Sequence, residues 1–222
     1  MIRTMGSFLA GVLLLAVAAR AGDVVHPRLK EELQIQSVTM LPPVVELAKA
    51  GVKGSEGMGK EAEQASAEFA SGVSTALVNR GLKVESPFTE DALKNNDELK
   101  YAVADVQKRF DEIADQLYKK HKDIRKGRFS LGDSVALLNT TGTSQALVIL
   151  RSSGVQLTKG KAFMSGGLLG MAIGSKQPMY QTRVALVDAK NGDILFLGEY
   201  QTNGLPKDKT YEKSFQNIPV AK

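Results

Sequence analysis

The sequence predicts a single α/β domain in which a mixed sheet is flanked by helices, preceded by a cleaved signal peptide. Three observations support this class. Apolar residues recur every three or four positions over two long segments, 57–80 and 97–121, as they do in amphipathic helices. About 200 residues follow the leader, enough to bury a substantial core. Strand-like apolar runs lie at four places: 36–41, 146–150, 182–187 and 194–200.

The first 21 residues have the features of a secretory signal. Arg3 makes the start basic, residues 8–19 form an apolar run, and Ala19 and Ala21 are the small residues that signal peptidase requires. We place the cleavage after Ala21, so the protein is expected to be periplasmic or secreted. A membrane anchor is the alternative, but the run has about a dozen residues and a spanning helix needs about 20. The chain has no cysteine, which excludes the lipid linkage of a bacterial lipoprotein.

Residues 22–35 are expected to form an N-terminal tail and residues 36–222 the α/β domain. Pro42-Pro43 is expected to end the first strand, because proline lacks the N–H group that a sheet uses. Gly81 suits a helix C-cap, and the Thr89 hydroxyl can cap a further helix. The expected order is a strand at 36–41, a helix at 57–80, a strand at 82–85, a helix after Thr89, a helix at 97–121, a short helix opened by Ser130 and Asp133, strands at 146–150, 182–187 and 194–200, and a helix at 206–218.

The second long helix has a narrow apolar seam. Its side chains alternate steps of four and three residues, the spacing of residues that pack along one line: Leu99, Val103, Val106, Phe110, Ile113 and Leu117. The spacing covers only about three heptads, so we favour packing on the domain's own sheet. A helix of another chain is the alternative partner.

The last third of the chain predicts an antiparallel hairpin. The strands at 182–187 and 194–200 are joined by a turn that contains Asn191-Gly192, which suits left-handed backbone. The run at 146–150 is apolar throughout, as in a strand covered on both faces, and residues 154–158 can extend it beyond a bend.

Two segments resemble a nucleotide site in spacing but not in chemistry. Gly54 to Lys60 has the glycine and lysine spacing of a phosphate loop, and Asp188 follows an apolar strand. A phosphate loop needs a hydroxyl residue after the lysine to bind magnesium, and position 61 is Glu61, whose carboxylate would repel phosphates. We interpret residues 54–60 as a flexible loop that begins a helix.

The sequence contains no other arrangement typical of catalysis or metal binding. His26 and His121 are the two histidines, and we interpret both as solvated surface residues. The carboxylates do not form a metal-loop pattern, so we expect no metal, no cofactor and no catalytic residue. Without Arg3 and Arg20, 27 basic residues face 24 acidic ones, a net charge of +3 that does not predict nucleic-acid binding. Asn139 begins a glycosylation acceptor pattern, whose use the sequence leaves open.

Residues 163–174 (FMSGGLLGMAIG) form an apolar, glycine-rich segment where a polar loop would be usual. We favour burial under the domain's own helices. A protein–protein contact and insertion into a membrane are the alternatives, and at this length the segment could enter a membrane only as a β-hairpin. The candidate contact residues are Phe163, Met164, Leu168, Leu169, Met171 and Ile173.

Several local strings resemble a group of bacterial envelope proteins. They are Val38 to Pro43, Asn79 to Leu82, Leu131-Gly132-Asp133 with the strand at 146–150, and Leu186 to Leu195. They are similar to the family that contains the curli-secretion channel lipoprotein, the amino-terminal domain of the Tol-Pal translocation protein and small periplasmic lipoproteins that assist outer-membrane machines. The resemblance, over roughly residues 35 to 218, implies a compact α/β domain that docks onto partners or assembles into rings.

The sequence therefore predicts a non-enzymatic exported envelope protein that binds a protein partner or itself within a cell-envelope or secretion machine, with peripheral membrane contact left open. The alternatives are an oligomeric outer-membrane pore that uses residues 163–174 and an exported hydrolase built around His121. No small-molecule substrate is indicated.

Overall fold

The computed structural model is a single mixed α/β domain, as predicted, with an eight-stranded sheet flanked by helices. The structure describes residues 23–31, 34–51, 54–119, 121–124, 126, 129–139, 144–158, 178–216 and 218–219. The expected leader at 1–21 lies outside them.

One mixed sheet contains all the strands of the described residues. They are β1 (Val24–Val25), β2 (Ser37–Met40), β3 (Val44–Gly51), β4 (Gly54–Gly57), β5 (Lys83–Glu85), β6 (Ala146–Leu157), β7 (Met179–Asp188) and β8 (Ile194–Asn203). β6, β7 and β8 are antiparallel neighbours, and β1 pairs with β8. On its other side β6 pairs in parallel first with β2 and then with β3; β5 lies outside β2, and β4 lies outside β3.

The predicted hairpin between β7 and β8 is confirmed. Gly192 adopts a φ of +76° in the turn, and the Gly192 N–H donates to the Asp188 carbonyl at 2.9 Å. β6 continues to Leu157 without a break, so the run at 146–150 and its predicted extension form one strand.

β2 ends at Met40, just before Pro42-Pro43, as predicted, but the chain re-enters the sheet directly after the prolines, which was not predicted. The pairing with β6 moves by one residue across the prolines, from Met40 opposite Val148 to Val44 opposite Arg151. Three residues thus face two, as in a β-bulge, a place where proline is tolerated in a sheet. The strand then resumes as β3.

Gly54 to Lys60 does not form the predicted loop. Gly54–Gly57 is the edge strand β4, and the following helix begins at Gly59. The Gly54 φ of +139° suits the turn between β3 and β4, a geometry that other residues rarely adopt. This antiparallel hairpin differs from a strand–loop–helix phosphate site.

Helices cover both faces of the sheet. They are α1 (Pro27–Glu31), α2 (Gly59–Asn79), α3 (Glu90–Lys94), α4 (Asp97–Lys119), α5 (His121–Ile124), a 3₁₀ helix (Asp133–Leu138) and α6 (Asp208–Phe215). Thr89 caps α3 as predicted, its hydroxyl accepting from the Ala92 N–H at 3.2 Å. Ser130 does not cap the short helix, since Gly132 stands at that position, and the Ser130 hydroxyl instead accepts from the Gly132 N–H at 3.0 Å.

The two faces of the sheet belong to two apolar cores. On one face Val103, Val106 and Phe110 of α4 pack with Leu147 and Ile149, which confirms that the seam faces the domain's own sheet. On the other face Phe69, Val73 and Leu77 of α2 pack with Tyr211 and Phe215 of α6 over β6 and β8. The side chain of Leu117 lies outside the described part.

The segment expected to be a tail packs onto the domain. Val24 and Val25 pair with Leu197 and Phe196 of β8, and Leu29 of α1 is fully buried. The prediction that His26 lies on the surface was wrong, because only 5% of it is exposed. Its Nδ1 accepts a hydrogen bond from the Arg28 N–H at 3.1 Å.

Candidate functional site

The predicted contact segment at 163–174 lies outside the described residues. Its candidate residues Phe163, Met164, Leu168, Leu169, Met171 and Ile173 are therefore untested. The chain leaves β6 through Thr158 and re-enters β7 after Pro178, so the segment connects the ends of two adjacent strands. We call this end of the sheet the distal end.

At the distal end one face of the sheet is exposed. On the face of the sheet that α4 covers, Arg151, Arg183 and Glu199 form a row across β6, β7 and β8. Between this row and the distal end, no helix of the described structure covers the side chains on that face. Val155 is 40% exposed and Met179 is 51% exposed. The surface also contains Ser153, Gln181, Gln201 and Asn203, and we call these six residues the distal face.

The opposite face at the same end is covered. Leu47 of β3, Ala65 of α2 and Tyr180 of β7 form a small buried cluster. Gly154 permits their close approach, since a Cβ there would lie 2.5 Å from Leu47 Cδ2 and 3.1 Å from Tyr180 Cδ1. The distal end is thus anchored on one side and exposed on the other.

A network of charged side chains separates the α4 core from the distal face. Arg151 binds Asp111 of α4 at 2.9 Å and Glu46 of β3 at 3.0 Å. Arg183 and Glu199 form a 2.6 Å ion pair in which both side chains are largely buried. A small open cavity of about 210 Å³ is lined by four of these residues, Glu46, Asp111, Arg151 and Arg183, together with Ser153 and Gln181.

Burial raises the pKa of Asp111 above its ordinary value, although the neighbouring Arg151 lowers it. Each cation of the network already has a carboxylate at ion-pair distance, and Glu199 is held by Arg183. Because these charges already compensate one another, there is little driving force for an added ion, and removal of one partner would leave the other uncompensated.

This network was not predicted from the sequence. Its members come from β3, α4, β6, β7 and β8, and their proximity depends on register. One signal was available, because Arg183 and Glu199 are the single charges of the predicted strands at 182–187 and 194–200, and Arg151 directly follows the apolar run at 146–150.

The other chemical candidates are occupied by structural contacts. Asp188, the residue that imitated a magnesium ligand, is buried and binds Arg28 at 3.2 Å. Arg28 also binds Asp193 at 2.9 Å. Within the described ranges, no three His, Cys, Asp or Glu side chains are grouped to hold a metal ion. None of the helices in that part of the chain is both long enough and apolar enough to cross a membrane. His121 lies in α5, but its side chain is outside the described part.

Asn139 uses its side chain within the fold. Its Nδ2 donates to the Ser144 carbonyl at 2.9 Å, and its Oδ1 accepts from the Ser144 N–H at 3.3 Å. A glycan would attach to that same nitrogen, where it would replace one of the two hydrogens beside the contact with Ser144.

Comparison with known proteins gives only distant similarities. No protein-family model matches the chain, and no curated protein matches its sequence. Solved structures that are similar to it include a PelC dodecamer from Paraburkholderia phytofirmans, with 9% identity, a TM-score of 0.38 and coverage of 90% of this chain and 96% of that one. A lipoprotein from Neisseria meningitidis has 12% identity, a TM-score of 0.33 and coverage of 75% and 79%. The LpoB C-terminal domain from Salmonella enterica has 11% identity, a TM-score of 0.28 and coverage of 81% and 96%. At these values we take no function from the neighbours.

Proposed function

We propose that this protein is a non-enzymatic binding and assembly protein of a bacterial cell envelope, exported by its first 21 residues. The observation that carries the proposal is the distal end of the sheet. There an exposed face with two apolar residues, Val155 and Met179, adjoins both attachment points of the apolar segment at 163–174. Exposed apolar surface rimmed by polar groups is typical of protein contact sites.

The polar chemistry of the distal end supports contact rather than catalysis. A general base or nucleophile has to be available to a substrate, whereas Asp111 and Glu199 are bound to arginines of the same network. His26 is buried at the other end of β8, beside Leu195. The polar groups described at the distal end therefore support a binding protein. The hydrolase alternative depends on His121, whose side chain lies outside the described part, so it stays a prediction.

We propose that the contact uses the apolar side chains of the 163–174 segment together with the distal face. The partner is a protein, either a component of an envelope or secretion machine or another copy of this chain. Insertion of the segment into a membrane is the second candidate, because the exposed Val155 and Met179 bring apolar surface up to the segment's attachment points.

The test compares two double substitutions. Leu168→Ser with Leu169→Ser removes apolar surface from the segment. The control, Val78→Ser with Leu137→Ser, removes apolar surface at exposed positions outside residues 163–174. Val78 is 54% exposed and Leu137 is 60% exposed. Each protein is expressed with its leader, recovered from the exported fraction, and studied by light scattering, chemical crosslinking and flotation with liposomes of phosphatidylethanolamine and phosphatidylglycerol.

We expect only the segment variant to lose crosslinked complexes, with no protein floating in any sample. Mass spectrometry should show Gly22 as the first residue. Identical uncomplexed behaviour of the parent and both variants would argue against assembly through the segment. Flotation that the segment variant alone abolishes would favour the membrane candidate, and a retained leader in the cytosol would refute export.

A further inference from the structure

The outer edge of β8 carries backbone N–H and C=O groups. β1 pairs with the first of these groups, and the row continues along the strand beyond β1. The Gly204 N–H donates to the Pro178 carbonyl at 2.9 Å, which sets the alternation along β8 on its β7 side. In an antiparallel pair every second residue directs its N–H and C=O away from the partner. The residues of β8 that face outward are therefore Leu195, Leu197, Glu199, Gln201 and Asn203.

The first part of this row is filled by the N-terminal strand. The His26 N–H donates to the Leu195 carbonyl at 2.8 Å, and Val24 pairs with Leu197. No strand in the described part of the chain pairs with the outer side of Glu199–Asn203, which we call the open run. An edge of this kind is a template for another strand.

Both ends of the open run are defined by the fold. At one end β1 begins at Val24, opposite Leu197. At the other end Gly204, with a φ of +82°, turns the chain out of the sheet toward α6. A strand of about five residues can therefore enter between them without meeting the chain that leaves β8.

We propose that two copies of this chain pair antiparallel through their open runs, about a two-fold axis at Gln201. This inference rests on the proposed function, in which the protein acts by contact, and it names one partner and the surface used. The pairing joins the two sheets into one and fills the outward N–H and C=O groups of three residues in each copy.

The open run is complementary to itself. With the axis at Gln201, the two Gln201 residues are opposite each other, and their amides can exchange hydrogen bonds. Glu199, whose charge is already compensated by Arg183, comes opposite the uncharged Asn203 of the second copy. Tyr200 comes opposite Thr202, a pair of residues that favour strands. No like charges face one another, since Glu199 is the only charged residue of the run.

Before cleavage, the leader would be able to compete for the same edge. It precedes β1, which already pairs with β8, and only residue 22 would remain ahead of Asp23 after cleavage following Ala21. If the register of β1 continued, that residue would come opposite Glu199 at the end of the run and would leave Tyr200–Asn203 open. Removal of the leader should therefore favour association of two copies.

The test uses single cysteines, because the chain has none of its own. In the proposed pair the two Gln201 Cα atoms would be about 5.5 Å apart, within the range that a disulfide spans. Gln181 is the matched control: it is the same residue type, it is exposed, and it lies directly opposite Gln201 on the interior strand β7. Three strand spacings would separate the two copies of Gln181 by roughly 15 Å.

We expect at least about tenfold more disulfide-linked dimer from Gln201→Cys than from Gln181→Cys after mild oxidation of the exported protein. Equal, low dimer yields from the two variants, with circular dichroism showing that both are folded, would overturn the proposal. Crosslinking of Gln201→Cys only when it is mixed with Ser55→Cys would also overturn it, since that result means pairing between β8 and β4.

A second variant tests the backbone contacts. Gln201→Pro removes an outward N–H without touching a bond to β7, a substitution that edge strands tolerate. Light scattering should show that this variant is a monomer. Its melting temperature should equal that of the parent protein measured at a dilution at which the parent is also a monomer. If the parent forms complexes through residues 163–174 while Gln201→Cys does not crosslink, the edge pairing fails and the proposed function stands. If the edge pairs while the segment variant behaves as the parent, the proposed role of the segment fails instead.

Discussion

Gly192 shows how one residue joins two parts of the chain. A Cβ at this position would lie 2.6 Å from the Gly132 carbonyl oxygen and 2.8 Å from the Gly132 nitrogen, and the φ of +76° is left-handed. The Leu131 N–H donates to the Gly192 carbonyl at 2.8 Å. The turn that the sequence predicts from Asn191-Gly192 is thus also a packing contact with the segment before the 3₁₀ helix.

Gly192→Ala should lower the free energy of unfolding by about 1–3 kcal/mol, because it combines backbone strain with a clash against backbone atoms. Urea denaturation followed by circular dichroism measures the effect. Gly59→Ala is a suitable control, since nothing lies within 4 Å of a Cβ at Gly59. A loss for Gly192→Ala no greater than that of the control would contradict this account.

Glu199 and Arg183 form the most buried ion pair of the charged network. Glu199→Gln should lower the free energy of unfolding by about 3 kcal/mol, since it leaves the Arg183 guanidinium without its buried carboxylate. The double variant Glu199→Leu with Arg183→Met should recover most of this loss, because apolar residues of similar size need no partner there. A double variant as unstable as the single one would show that the pair itself is required.

These charged residues could not have been paired from the sequence. Arg183 and Glu199 are brought together by the register of β7 and β8, and Asp111 reaches Arg151 across the helix–sheet junction. Composition predicts that a charge in a buried strand needs a partner, but it does not identify that partner. The candidate site was accordingly predicted only in its apolar segment.

At the scale of elements, periodicity predicted the long pieces, and local signals predicted the short β2, β5 and α3, whereas β1, α1 and β3 were missed. α2, α4 and the strands β6, β7 and β8 repeat their pattern often enough to be recognised. β1 has two residues and α1 has five, too few for a period to show. β3 was missed because Pro42-Pro43 suggested an end, although the bulge there absorbs the missing N–H groups.

The N-terminal elements are held by Arg28, whose partners lie 160 and 165 residues further along the chain. Arg28→Ala should lower the stability by about 2 kcal/mol, since it leaves the buried carboxylate of Asp188 without this charged donor. Hydrogen exchange should then accelerate in residues 24–31 before it does in β6 or β7. Arg80→Ala is the control. It removes a different cation, one that is bound to the Ile218 carbonyl, and should leave the exchange of residues 24–31 unaltered. Unchanged exchange in Arg28→Ala would mean that apolar packing alone fixes α1.

At the scale of the molecule, two cores share one sheet. The α4 core and the α2–α6 core are separated by the backbone of β6, β7 and β8, whose successive residues enter alternate cores. Leu147 and Ile149 belong to the first, and Ala146, Val148 and Leu150 belong to the second. The absence of cysteine removes disulfides as a source of stability, so packing on both faces has to hold the sheet.

This arrangement predicts that neither core can melt alone. Phe110→Ala and Phe69→Ala remove fully buried rings from opposite faces, and each should lower the free energy of unfolding by about 3–5 kcal/mol. Because the strands between them are common to both cores, each variant should still unfold in one transition, with tyrosine fluorescence and circular dichroism giving the same midpoint. Separate midpoints in Phe110→Ala would show that the α4 layer unfolds independently. The sheet with α2 and α6 would then be the true folding unit, and α4 an appendage held to it partly by Arg151.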